Sequence, residues 1–139
     1  MKKVLLFIVV AVAFGASACV TTRPIETISN VPVGNNLSKE AVARAITQGG
    51  AAQGWSMVRL NDNTIEGTLL QRQHTVVVTI PFTANSYSII YKSSGNMKAD
   101  PGTGEIHRSY NRWVRNLQKA IGLEMTRLGN TAQTTRTVK

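Results

Sequence analysis

Apolar residues come first as one unbroken run, then with helical spacing, then in strict alternation, and finally with helical spacing again. The alternating part reads most clearly. Four stretches between Trp55 and Lys92 alternate apolar and polar positions: Trp55–Leu60, Thr64–Gln73, His74–Pro81 and Ser86–Lys92. A period of two sorts side chains onto the two faces of a sheet. With Arg72-Gln73 as a two-residue turn, Leu69 faces Val76, Gly67 faces Val78 and Ile65 faces Ile80, all on one side. With Phe82 to Asn85 as the next loop, Ile80 faces Tyr87, Val78 faces Ile89 and Val76 faces Tyr91. The other side collects Glu66, Thr68, Arg72, Thr75, Thr79, Ser88 and Lys92. That is an antiparallel sheet buried on one face. Leu70 interrupts the polar face, as does Val77 opposite Ile90. These three form a candidate docking patch, although scattered exposed apolar residues are also ordinary. With Asn61-Asp62-Asn63 as the first turn, Gly67 lies opposite Met57 and beside Trp55. A missing side chain there lets the indole lie down on the sheet, or else marks a bulge.

Helical spacing flanks the sheet on both sides. Ser38 is placed to cap a first helix, Leu37 to staple onto Val42, and Glu40 to complement the helix dipole. Val42, Ala45 and Ile46 form its buried stripe, and Gly49-Gly50 is its expected end. After a loop over Ser93–Gly104, a second helix is expected over Glu105–Leu128, with Gly129 as its stop. Ile106, Tyr110, Trp113, Leu117, Ile121 and Leu128 share one side of it; Arg108, Arg112, Arg115 and Lys119 share the other. The pattern predicts an α+β fold: a four-stranded antiparallel sheet with two helices on one face, in the order α-β-β-β-β-α. This single domain occupies residues 37–130. Residues 131–139 read as a frayed polar tail, and residues 19–36, broken by Pro24, Pro32 and Gly34, as a tether.

The unbroken run changes the picture. Met1-Lys2-Lys3, then Val4–Phe14, then Gly15-Ala16-Ser17-Ala18 is the layout of a secretory signal over residues 1–18. Its apolar segment is shorter than the ~20 residues that cross a bilayer as a helix. Ala16-Ser17-Ala18 before Cys19 resembles the lipobox of bacterial lipoproteins, with Ala16 where leucine is commonest. The resemblance implies that Cys19, the sole cysteine, carries a diacylglycerol and becomes the acylated N-terminus. Val20, not aspartate, implies the outer membrane by that family's sorting rule. Ala16-x-Ala18 also fits an ordinary signal-peptidase site, which would release a soluble periplasmic protein, but the position of the sole cysteine and the tether-like Val20–Pro24 favour lipidation.

The 139 residues carry sixteen Lys and Arg against seven Asp and Glu, a net charge of +9. Losing Lys2 and Lys3 with the leader leaves +7. Arg108, Arg112, Arg115 and Lys119 are therefore a candidate surface for anionic headgroups or an acidic partner, unless they are simply a solvated face. Nucleic acid is not expected as a partner, because no stacking aromatics interleave the stripe. His107, Tyr110 and Asn111 sit within one turn and form a candidate polar ligand site; the plainer role is to satisfy loop backbone groups. His74 and His107 lack an acidic or cysteine partner at ligand spacing, and His74 is expected to be exposed at its turn. No metal or cofactor is expected. The Asp100–Glu105 segment matches neither a calcium loop nor a phosphate loop. No catalytic motif is present, and an enzyme would require His107 beside Asp100 or Glu105 in a cleft.

The stretch Ile106-His107-Arg108-Ser109-Tyr110-Asn111-Arg112-Trp113 resembles the C-terminal segment of a family of uncharacterised proteobacterial lipoproteins. That family's pattern is an isoleucine-histidine pair followed by tyrosine-asparagine and tryptophan. The similarity runs from Ala45 onward and implies no activity. The expected function is a non-enzymatic envelope lipoprotein on the periplasmic face of the outer membrane, holding lipid through Cys19 and binding an envelope protein partner. Its size and layout are comparable, by analogy only, to small lipoproteins that accompany outer-membrane insertion machinery. The alternative is a soluble periplasmic module binding a small or anionic ligand near the start of the C-terminal helix.

Overall fold

The alternation between Trp55 and Lys92 becomes the centre of a sheet. A computed structural model describes residues 21–34 and 36–137; the leader and Cys19 lie outside the described residues. In chain order the elements are β1 Thr22–Pro24, β2 Ile28–Pro32, α1 Lys39–Ala52, β3 Trp55–Asn61, β4 Thr64–Gln71, β5 His74–Pro81, β6 Ser86–Gly95, β7 Glu105–His107 and α2 Ser109–Thr137. The class is α+β. The main sheet has five antiparallel strands in the order β2-β6-β5-β4-β3, and β1 pairs with β7 in a separate two-stranded ribbon. One face of the sheet contributes Trp55, Ile65, Leu69, Val76, Val78, Ile80 and Ile89 to the core, and both helices pack there.

The two additional pairings correct the expectation of four strands and of a tether through Asn36. Ile28 pairs with Ile89 and is buried, and Val31 pairs with Tyr87. A bulge lies between Ile28 and Val31, where Asn30 takes φ 51°. The bulge breaks the period of two, so a real strand shows no alternation in sequence.

The hairpin β4–β5 has the expected register: Leu69 pairs with Val76, Gly67 with Val78 and Ile65 with Ile80. The next hairpin differs by two residues. Val78 pairs with Tyr91 and Thr79 with Ile90, because Phe82 still pairs with Tyr87 and the chain reverses over Thr83–Ser86. A shift of two keeps every side chain on its expected face. It does separate the expected Val77–Ile90 pair, and Val77 instead lies opposite Ser93 across a bulge. Gly67 has the expected close role: an added Cβ would lie 3.4 Å from the Trp55 ring and 3.1 Å from Met57 Sδ.

The helices keep their faces but move their ends. Ser38 caps α1 by accepting from the Ala41 N–H at 3.2 Å. The helix passes through Gly49-Gly50 and stops before Gly54 at φ 80°. Gly49 is needed for packing instead: a Cβ there would lie 2.7 Å from the Ile121 backbone, at the crossing of α1 and α2. Residues Glu105–His107 are held extended by β1, so α2 begins at Ser109, and Ile106 is buried from a strand. Tyr110, Val114, Leu117, Ile121 and Met125 form the buried side of α2. The helix continues beyond Gly129 to Thr137 through the segment expected to fray. There Thr131, Thr134, Thr135 and Thr137 each donate a hydroxyl to the carbonyl four residues back.

Two glycine substitutions should act in opposite directions. Gly49→Ala is expected to destabilise the fold by about 2 kcal/mol, because backbone must move to admit the methyl. Gly122→Ala meets nothing within 4 Å and should stabilise by up to ~1 kcal/mol. Urea denaturation of both variants checks the pair.

Candidate functional site

One end of the domain gathers four cations that make no ion pair among the described residues: Arg72, Lys98, Arg108 and Arg112. There the β4–β5 turn meets the loop after β6, strand β7 and the start of α2. Arg72 occupies the turn at φ 56°, a left-handed conformation that costs a residue with a side chain ~1 kcal/mol or more. Asn96 and Lys98, at φ 55° and 51°, flank the buried Met97 in the neighbouring loop. This loop sets both histidines. The Asn96 carbonyl lies 2.7 Å from His74 Nδ1, and the Met97 carbonyl accepts the His107 backbone N–H at 2.7 Å. Asn96 Nδ2 also donates to the Gln73 carbonyl at 2.9 Å, tying loop to turn.

The two imidazoles, thirty-three positions apart in sequence, stack with centroids 5.9 Å apart and planes 17° apart. Trp113 lies against His74 at 6.4 Å. A carbonyl only accepts, so neutral His74 carries its proton on Nδ1 and presents a bare Nε2. His107 Nδ1 accepts the Ser109 N–H at 3.3 Å, so its proton sits on Nε2. His74 is half-buried, not exposed as its turn position suggested. Two shallow clefts share Arg112 as a wall. One, of about 350 Å³, is bounded by Arg72, His74, Ser109, Arg112 and Trp113; the other, of about 390 Å³, by His107, Arg108, Ser109 and Arg112.

The electrostatics are one-sided. Partial burial, then His74, Lys98, Arg108 and Arg112 in that order, lower the His107 pKa below its ordinary 6.5. Arg72, Arg108 and Arg112 are exposed and, among the described residues, have no carboxylate partner. Two carboxylates lie nearby without pairing to these cations: Asp100 accepts the Gly102 N–H at 2.8 Å, and Glu105 the Thr22 hydroxyl at 3.0 Å. No group of three His, Cys, Asp or Glu comes together among the described residues.

The residues expected to form a polar cluster divide by role. Tyr110 and Asn111 fasten the N-terminal segment. The Tyr110 hydroxyl donates to the Glu26 carbonyl at 3.3 Å, and Asn111 accepts the Glu26 N–H at 3.1 Å while donating to the Pro24 carbonyl at 3.0 Å. Burial raises the Tyr110 phenol well above its usual range, consistent with a neutral donor. Arg115 is also committed: its Nε donates to Glu26 Oε1 at 3.0 Å, and its Nη2 lies 2.7 Å from Oε2. That second oxygen is buried without a well-oriented hydrogen bond and relies on the ion pair. His107, Arg108 and Arg112 are thus left for a ligand, and Lys119 is exposed farther along α2. Sequence reasoning placed Arg72 on the polar sheet face and His74 in solvent; only their position at a turn hinted at a shared site.

The bare face of the sheet is the second candidate surface. Leu70 is 68% exposed and Ile90 40%, whereas Val77 is half-buried. Val58, 53% exposed on the edge strand β3, extends the apolar area and was not anticipated. Glu66 and Lys92 pair across the middle of this face. No family model, curated protein or solved structure matches the chain.

Two predictions separate scaffold from site. Asn111→Ala should cost about 1–2 kcal/mol, since it removes two hydrogen bonds to partly exposed backbone groups of the N-terminal segment, whereas Arg112→Gln should leave stability unchanged. Because the native pKa of His107 is depressed, its neutral form is favoured. This contribution to stability is complete above about pH 6.5 and is lost as pH falls through the native value. His74→Gln should raise the His107 midpoint, read by NMR titration of the ring protons.

Proposed function

We propose that this chain is a non-enzymatic envelope lipoprotein, anchored through acylated Cys19 on the periplasmic side of the outer membrane, that binds a protein partner. The observation carrying the partner-binding part is the single-sided sheet. Five strands are covered by helices on one face only, and Val58, Leu70 and Ile90 stand exposed on or beside the other. An uncovered face of this kind buries apolar area when a second protein lies on it. The anchoring part rests on the lipobox-like Ala16-Ser17-Ala18-Cys19 and on the fit of Ile106–Trp113 to the proteobacterial lipoprotein pattern. Among the described residues no helix is long and apolar enough to cross a membrane, so a lipid on Cys19 is the means of attachment this reading requires.

A second reading has one observation in its favour. The stacked His74 and His107 beside Arg72, Arg108 and Arg112 suit a small anion bound by a soluble periplasmic module.

Intact-mass analysis of the chain from whole envelopes decides between them. A mass carrying fatty acyl groups on a start at Cys19, together with loss of membrane fractionation in Cys19→Ala, is the expected result. An unmodified Cys19 start sinks the anchor. A photocrosslinker at Leu70 should trap one defined partner, and the same group at Arg44 on α1 should trap none.

A further inference from the structure

The described chain begins at the cationic end of the domain. The Thr21 carbonyl accepts the Arg108 N–H at 2.9 Å, and Lys98 Nζ donates to the Thr21 hydroxyl at 3.4 Å. Strand β1 then pairs along Glu105–His107, and the Ile25 N–H reaches the Gly104 carbonyl at 2.9 Å. The attachment is therefore short. Two peptide units separate Thr21 from Cys19, a reach of at most about 7 Å. A lipid on Cys19 would hold this end within the headgroup layer.

The cations of this end make no ion pair among the described residues. Arg72, Lys98, Arg108 and Arg112 are exposed, while the ion pairs of the described residues go to Arg59, Lys92, Arg115 and Arg127. Trp113, half-buried beside His74, supplies the amphipathic ring that favours a membrane–water boundary. Basic residues within a Debye length of an anionic surface each add attraction, and such a patch complements an acyl anchor. We propose that the domain docks directly on the membrane through this end, with Arg72, Lys98, Arg108 and Arg112 seated on the phosphate groups of anionic lipids. The inference rests on the lipid-anchor reading for where the protein resides, while the electrostatic contact is measurable without the anchor. The domain then lies against the bilayer and presents its bare sheet face sideways.

The test uses the chain as cells process it. Cys19→Ala retains the Ala16-x-Ala18 site and should be released as a soluble protein, its start confirmed by intact mass. Mixed with phosphatidylglycerol vesicles, it should float at low salt, be released by high salt, and ignore phosphatidylcholine. The triple variant Arg72→Gln, Arg108→Gln, Arg112→Gln should lose at least about tenfold in vesicle affinity. The charge-matched triple Lys39→Gln, Arg44→Gln, Arg136→Gln, which lies away from this end, should lose less than about twofold. Equal losses in the two triples, no preference for phosphatidylglycerol, or displacement by millimolar inorganic phosphate would overturn the proposal; the last outcome would mark a soluble-ligand site. Should Cys19→Ala not be released, the wild-type chain in bilayers with a headgroup spin label serves instead. Broadening of the His74 and His107 ring signals supports docking, and unbroadened signals overturn it. Acylated wild type without vesicle preference defeats this inference alone. A bare Cys19 with vesicle preference defeats the anchor alone.

Discussion

The fastening of Thr21–Glu26 onto the start of α2 is the constraint on which the rest of this molecule's functional geometry depends. Three backbone pairings along Glu105–His107, two side-chain bonds from Asn111, one from Tyr110 and the Arg115–Glu26 ion pair all act on six residues. Extended chain this short has too little apolar surface to order itself, so it is ordered by satisfied polar groups instead. The consequence reaches both ends of the segment. Beyond it, β2 is delivered to the edge of the sheet beside β6. Before it, the chain leaves the domain beside Arg108 and Lys98, which fixes which end any N-terminal attachment would approach.

The sheet's asymmetry follows from the same economy of material. Two helices suffice to cover one face, and the long α2 also closes onto α1 at Gly49, where the absent side chain lets the backbones meet. Nothing in the described chain is left to cover the other face. Its strands therefore alternate threonine, serine and a paired Glu66–Lys92 with isolated apolar residues, a composition that tolerates water yet can bury area against another surface. The two surfaces proposed for a partner and for a membrane are therefore distinct, one on the sheet face and one at the cationic end.

Sequence made the centre of the fold legible because its strands alternate cleanly. The β4–β5 register, the role of Gly67 under Trp55 and the Ser38 cap all follow from spacing and side-chain chemistry. What spacing could not show has a common cause. The Asn30 bulge erases the alternation of β2, and β7 is a strand only because a remote segment pairs with it. Gly49 and Gly129 look like helix stops, yet one serves a helix crossing and the other is buried within α2. The site was less legible than the fold. Periodicity assigns faces within an element, but His74 and His107 meet across the Asn96–Lys98 loop, whose left-handed residues carry no glycine signal.

Those left-handed residues bear on function as well as on prediction. Among the described residues, five with side chains take positive φ, and Arg72, Asn96 and Lys98 all fall at the cationic end. Each conformation costs stability that glycine would not. Asn96 recovers some of that cost through its bonds to Gln73 and His74, but among the described residues the Arg72 side chain makes no hydrogen bond and Lys98 only one long contact to Thr21. The same end holds a histidine pushed toward its neutral form by burial and surrounding cations. A domain shaped for stability alone would relieve this with a glycine in the turn or a carboxylate in the cleft. Strain and unpaired like charge in one place instead favour a surface completed by an external anion. On the lipid-anchor reading, the fastening of Thr21 to that very surface would bring a bilayer of phosphate headgroups within reach as the counter-charge.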